Sequence, residues 1–216
     1  MCVECLILDI GANIGQYSLF AAKLGRDVVA VEPFQDNILR IHKAAKMQNI
    51  QKKITLIKNG ISDKRSMNMR LSQDLYNIGG QSLSNVENNI NDKYSVRTIL
   101  FDDMIDYFPK KANSQAYTKV IIKMDIEGFE LKAFENSIEF FRTHEIFAIF
   151  MEWDKMKNNP IDQHYKIDNL INSFRVNSKL KPFTTNLISL IETDWKTWPI
   201  DVIFLNEKID QNRLNI

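Results

Sequence analysis

The sequence predicts an α/β domain built on a doubly wound, mostly parallel seven-stranded sheet that ends in an antiparallel C-terminal hairpin. Three observations carry this expectation. Short unbroken apolar runs, of the kind buried on both faces of a parallel sheet, recur at Leu6-Ile7-Leu8, Val28-Val29-Ala30-Val31 and Val120-Ile121-Ile122. The first run passes through Asp9 into a glycine turn, Gly11-Ala12-Asn13-Ile14-Gly15, and then into a helix-like segment. The last two apolar stretches have no crossover helix between them, so they pair antiparallel at the sheet edge.

Composition sets the frame. A chain of 216 residues is long enough for one domain with a full core and short for two. Its 44% hydrophobic and 25% charged residues are ordinary globular values. A net charge of +1 with no basic run argues against nucleic acid or an anionic membrane as partner. No apolar stretch approaches the roughly 18 residues of a membrane span. Cys2 and Cys5 form a lone CxxC. It lacks the second pair or histidines of a zinc site and the helix start of a redox pair, so it reads as structural. With no disulfide framework, a reducing, cytoplasmic setting is expected. Only a few residues precede the first strand, so neither a signal peptide nor a leading helix is expected, and either the domain begins abruptly or the chain is part of a longer protein.

The elements follow in order. A helix over Gln16 to Leu24 stops at Gly25. A strand over Val28 to Val31 ends in Glu32-Pro33, where proline stops ladder pairing. Apolar Ile38, Ile41 and Ala45 give a helix over Asp36 to Met47, and Ile54 to Ile57 a third strand. These alternate as two right-handed crossovers. The polar stretch Lys64 to Thr98 breaks the rhythm and reads as short strands or a flap, with Gly79-Gly80-Gln81-Ser82 as a possible lid over the site. A short helix is expected over Ile99 to Phe108. The fourth strand, Val120 to Met124, ends at Asp125, and the turn Ile126-Glu127-Gly128 opens a helix over Phe129 to Phe141. Strand Ile146 to Met151 ends in Glu152-Trp153, helix Ile161 to Arg175 follows, and strands Phe183 to Ile191 and Val202 to Leu205 close the chain. The domain is expected over residues 5–206, with 207–216 as a tail.

Four acids, Asp9, Glu32, Asp125 and Glu152, fall at predicted strand C-termini, which share one rim in an open parallel sheet. Like charges gathered there repel, so a ligand is the better explanation of the set. Glu32 lies about twenty residues past the glycine loop, where an acid chelates ribose hydroxyls. That geometry serves NAD and S-adenosylmethionine equally, but the loop lacks the GxGxxG spacing that a dinucleotide's pyrophosphate needs. An acid-lined rim suits a cationic sulfonium and ammonium better.

Lys123-Met124-Asp125-Ile126-Glu127-Gly128-Phe129-Glu130 resembles the KxDxEGxE signature of the FkbM-like methyltransferases. The likeness extends to Asp9-Ile10-Gly11-Ala12-Asn13-Ile14-Gly15, Glu32-Pro33, Ile61-Ser62-Asp63, Leu100-Phe101-Asp102-Asp103 and Trp198-Pro199-Ile200-Asp201-Val202. Phe101 departs from the family's usual Leu-Asp, and no counterpart of the family's frequent substrate-facing lid is expected from the few residues given before the first strand. The resemblance implies a Rossmann-like class I fold that uses S-adenosylmethionine, most often to methylate a hydroxyl of a small molecule or sugar. On this reading Asp9, Gly11, Asn13 and Gly15 cradle the cofactor's methionine end, Glu32 binds its ribose, and Ser62 and Asp63 flank the adenine. Asp125 and Glu127 face the methyl and the acceptor, one of them as base, with Gly128 letting the backbone come close.

His42, His144 and His164 read as surface or structural residues, although His164 is close enough in sequence to reach Glu152. Glu127 and Glu130 also suit a helix N-terminus. The trio Asp125, Glu127 and Glu152 would suit Mg²⁺ or Ca²⁺, but spacing does not choose, and no metal is assigned. The expected partner is a small-molecule or glycan acceptor. Competing readings are a nicotinamide-dependent oxidoreductase and a degenerate methyltransferase fold that binds without turnover.

Overall fold

The computed structural model describes residues 2, 4–71, 83–85 and 94–209. The chain runs β1 (Leu6–Ile10), α1 (Gln16–Lys23), β2 (Val28–Val31), α2 (Gln35–Met47) and β3 (Ile54–Ile57). Four short strands follow: β4 (Gly60–Ile61), β5 (Asn68–Leu71), β6 (Leu83–Asn85) and β7 (Ser95–Ile99). Then come β8 (Lys119–Met124), α3 (Glu130–Phe134), α4 (Ile138–Thr143), β9 (Glu145–Glu152), α5 (Asp154–Lys157), α6 (His164–Ser178), β10 (Leu180–Thr184) and β11 (Asp201–Asn206).

The seven-stranded sheet has the order β10-β11-β9-β8-β1-β2-β3. Every pair is parallel except β11, which runs antiparallel to both β9 and β10. Alternation along β1 explains the layering. Leu6, Leu8 and Ile10 join the large core, which Phe134, Phe140, Ile167 and Phe174 cover from α3, α4 and α6. Ile7 faces the other way, into a smaller core of Val28, Ala30, Ala22 and Ile41 beneath α1 and α2. A second sheet, β4-β7-β5-β6, stands at the C-terminal end of β3 and packs Leu71 and Val96 on Phe34. It accounts for the described part of the polar 64–98 stretch. Gly79, Gly80, Gln81 and Ser82, read from sequence as a lid, lie outside the described residues.

Three expectations are corrected. The helix predicted over Phe129 to Phe141 is two, because Asn136 and Ser137 divert the backbone. Asn136 Nδ2 donates to Asp63 O at 2.9 Å, and Ser137 Oγ donates to Phe134 O at 2.7 Å. Side chains of these types compete with the helical ladder. Asp102, far off in sequence, then caps α4 by accepting the Phe140 and Glu139 amides at 2.8 and 3.2 Å. The strand predicted from Phe183 starts earlier, at Leu180, and ends at Thr184, where the chain turns back through Leu187 at φ 61°. Ile99 belongs to β7, and the helix placed there is a 3-10 turn over Asp102–Tyr107.

Cys2 and Cys5 are joined by a disulfide just ahead of β1, a linkage not expected from the sequence. Among the described residues no helix is long and apolar enough to cross a membrane.

Candidate active site

Because β9, β8, β1 and β2 are consecutive neighbours, the ends carrying Glu152, Asp125, Asp9 and Glu32 lie side by side on one rim. The glycine loop is fastened to that rim. The amides of Gly11 and Ala12 both donate to Val31 O, at 2.9 and 3.0 Å. Gly11, at φ 79°, is packed so closely that a Cβ would overlap the Asp125 carbonyl. No L side chain fits there. Glu32 clamps the loop from the other side: Oε2 accepts the Asn13 amide at 2.7 Å and Oε1 the Phe34 amide at 2.8 Å. Asn37, a residue the sequence did not single out, donates from Nδ2 to Glu32 Oε1 and Asn13 Oδ1 at 3.4 and 3.3 Å. Burial raises the Glu32 carboxyl above its ordinary range, against the pull of these donors.

A cleft between these strand ends is lined by Gly11, Asn13, Glu32, Asn37, Asp125 and Glu127, and closed on the β3 side by Asn59, Gly60 and Ile61. Its volume is about 70 Å³. A much larger groove, about 710 Å³, lies between α3, α4 and α6 over Phe134, Phe141 and Phe174, but none of the rim acids lines it. Titratable groups and strained backbone meet at the small cleft, and that is where chemistry is expected.

Five of the nine residues assigned from sequence line the cleft: Gly11, Asn13, Glu32, Asp125 and Glu127. Asp9, Gly15, Ser62 and Asp63 stand behind its wall. Asp9 is fully buried and turns to α1, where Oδ2 accepts the Ser18 amide at 3.0 Å and its hydroxyl at 2.6 Å. Oδ1 has no hydrogen-bond partner, and burial raises the carboxyl. Gly15, at φ 86°, lets α1 close on Ile41. Ser62 Oγ donates to Asp63 Oδ1 at 2.9 Å, beneath the Asn59–Ile61 wall.

The acids after β8 and β9 form a second cluster. Asp125, Glu127 and Glu152 bring carboxylate oxygens within 4.8 Å of one another. Glu127 takes the left-handed region, φ 56°, ahead of Gly128 at φ 99°. This conformation costs a glutamate about 1 kcal/mol and is maintained where the surroundings demand it. Glu130 lies fully buried below, Oε1 accepting the Ile126 amide at 3.1 Å. Lys123 bridges the two halves of the rim, donating to Gly11 O at 3.0 Å and pairing with Asp125 at 3.2 Å. Lys155 pairs with Glu127 at 3.6 Å. Glu152 is pushed up to about 7 by burial first, then by the charges of Asp125, Glu127 and Glu130.

The histidines stay off the rim. His144 stacks on Phe140, and burial lowers its pKa. His164 does not turn to Glu152: Nε2 pairs with Asn159 O at 3.0 Å, and the ring meets Trp195 edge-on.

Sheet order, glycine loop and acid rim together define a Rossmann-like methyltransferase fold. The chain belongs to the FkbM methyltransferase family: the model of the methyltransferase FkbM domain matches residues 9–176. A crystal structure of methyltransferase FkbM from Methylobacillus flagellatus superposes with a TM-score of 0.53 at 16% identity, over 93% of this chain and 43% of that one. This chain thus spans less than half of that protein's length. An rRNA methylase from Streptococcus thermophilus (TM-score 0.45, 14% identity, 94% of this chain and 87% of that one) is also similar. So is a Streptococcus mutans protein in complex with SAH (TM-score 0.46, 10% identity, 93% and 88%). No curated protein sequence matches.

Proposed function

We propose that this chain is an S-adenosylmethionine-dependent methyltransferase acting on a hydroxyl oxygen of a small molecule or sugar. The observation that carries the reading is the cleft in which Gly11, Asn13 and Glu32 face Asp125 and Glu127 across the ends of β1, β2 and β8. Its residues fit the cofactor's chemistry. Glu32 Oε2 accepts the Asn13 amide and keeps a second lone pair for a ribose hydroxyl. The cleft is lined by acids and amides and by no arginine or lysine among the described residues, which suits a sulfonium and an ammonium rather than a pyrophosphate.

The bound cofactor supplies an electrophilic methyl group. The chain's own work is alignment, exclusion of water and removal of a proton. Gly11 and Asn13 hold the methionine end. Asp9 acts from behind, fixing the start of α1 through Ser18. Ser62 and Asp63 support the wall on the adenine side. Asp125 and Glu127 face the acceptor, and Glu152, pushed up to about 7 by burial and the acids beside it, is close enough to neutrality to take the hydroxyl proton. A volume of about 70 Å³ is far below the roughly 300–1,000 Å³ of a ligand site, so binding the cofactor requires this cleft to widen.

Methyl-labelled cofactor incubated with the protein and a mixed metabolite and glycan extract tests this. Label should enter a hydroxyl-bearing product, and Asp125→Asn should stop it. Cofactor binding without incorporation into any acceptor would favour a binding module.

A further inference from the structure

We propose that Lys123 is a positioning residue for methyl transfer, whose ammonium pins the Gly11 carbonyl of the cofactor loop and the Asp125 carboxylate of the acceptor-facing turn to one point. The inference rests on the methyltransferase reading for its purpose, and its test tells the failure of one from the failure of the other.

The strand places the lysine. Val120, Ile122 and Met124 of β8 enter the large core, so Ile121 and Lys123 face the opposite side of the sheet. There Lys123 stands in register with Asp9 on β1 and Phe150 on β9. Its side chain is 16% exposed, and its ammonium passes 5.5 Å from the centre of the Tyr17 ring on α1. Asp9, on the neighbouring strand, leaves Oδ1 unpartnered, yet the ammonium does not turn to it. It runs on to the rim, where Nζ donates to Gly11 O at 3.0 Å and to Asp125 Oδ2 at 3.2 Å.

A largely buried ammonium among acids is expected to spend its donors on carboxylates, and here one goes to a neutral carbonyl. That carbonyl needs a partner. Gly11, at φ 79°, has no side chain to resist rotation of the peptide it shares with Ala12. The peptide is held at both ends: the Ala12 amide donates to Val31 O at 3.0 Å, and the Gly11 carbonyl accepts from Lys123. The loop is thereby fastened to β2 on one side and to β8 on the other. Asp125 is fixed in the same two stages. Its amide donates to Ile10 O at 3.0 Å, which sets the backbone but not the carboxylate, and the pair with Lys123 removes that remaining freedom. Lys123 does not line the cleft, so it acts through Gly11 and Asp125 rather than on a ligand. Charge agrees: burial pushes the Asp9 and Glu32 carboxyls up, and the Lys123 charge draws both back. Reacting groups must be held to a fraction of an ångström, and a shift of about 1 Å costs on the order of a hundredfold in rate.

The test uses the full chain as parent, Lys123→Met, Asp125→Asn and the double variant. Lys123→Met keeps the apolar stem and loses the charge and donors. Calorimetric affinity for S-adenosylmethionine should fall by about tenfold, the worth of one charge-assisted hydrogen bond. The double variant should lose less than the product of the two single losses, because both break one tether. At saturating cofactor, transfer of labelled methyl into the metabolite and glycan extract should still be slower by at least about tenfold in Lys123→Met. Lost stability or affinity alone would not produce that deficit. If Lys123→Met fails to fold by circular dichroism, Lys123→Arg, which keeps the charge and moves it, takes its place. Parental transfer at saturating cofactor, or losses that multiply independently in the cycle, overturns the proposal. A parent that binds no S-adenosylmethionine refutes the methyltransferase reading instead. The same four proteins unfolded in urea then read the tether alone: coupled effects would keep it and strip it of its purpose, and independent effects would remove it as well.

Discussion

Glu32 Oε2 accepts the amide of Asn13 at 2.7 Å, so the acid that ends the second strand also shapes the glycine loop of the first. One carboxylate therefore acts as a strut for the loop and, under the proposed function, as the ligand of the cofactor's ribose. Glu32→Ala removes the acceptor of the Asn13 and Phe34 amides, and should cost about 1–3 kcal/mol in stability measured by urea unfolding. Glu32→Gln keeps one acceptor and should fold closer to the parent. Equal stability of parent and Glu32→Ala would mean that the clamp contributes nothing.

Gly11→Ala should be more damaging than its size suggests. The residue is left-handed at φ 79°, and its new methyl would meet the Asp125 carbonyl. The conformation alone costs about 1–2 kcal/mol, before the clash. Separation of β1 from the turn after β8 should abolish cofactor binding while far-UV dichroism stays largely intact. Retained affinity would show that the loop is looser than its contacts indicate.

Asp9 gives a pH prediction whose sign is fixed by burial. Its raised pKa means that the folded chain keeps a proton that the unfolded chain has already lost. Stability attributable to Asp9 therefore falls as pH rises above the ordinary aspartate range near 4. Asp9→Asn should be the more stable protein at neutral pH, with the difference vanishing toward about pH 4. Parallel melting curves across that range would contradict the burial argument.

Trp153 anchors the terminal strands. It is fully buried, donates from Nε1 to Trp195 O at 2.9 Å, and its ring lies 4.7 Å from Trp198. Trp153→Ala should cost about 3–5 kcal/mol. Trp153→Phe should recover most of the packing and lose the hydrogen bond, leaving a deficit of about 1 kcal/mol. A larger loss in the phenylalanine variant would place more weight on the Trp195 contact than on packing.

The sheet was legible in the sequence because its strands are buried on both faces. Val28–Val31 and Ile54–Ile57 stand where the apolar runs put them. The acids on the rim were legible for the same reason, since strand ends and their order determine what lies side by side. Less legible were features set by distant contacts. The break at Asn136 depends on Asp63 and Asp102, and the early end of β10 on the turn at Leu187. Which assigned residues line the cleft also depends on side-chain direction. Asp9 is one residue short of its strand end and points at Ser18, whereas Glu32 is just past its own and reaches the loop. Asn37 gave no signal, because a single asparagine in a helix has no pattern to betray it.

The central claim is that the ends of β1, β2 and β8 form a seat for a sulfonium cofactor. Calorimetric titration of the chain with S-adenosylmethionine and, separately, with NAD tests it most directly. Saturable binding of S-adenosylmethionine, lost in Glu32→Ala and absent for NAD, is the predicted result. Binding of NAD with no response to S-adenosylmethionine would contradict the account.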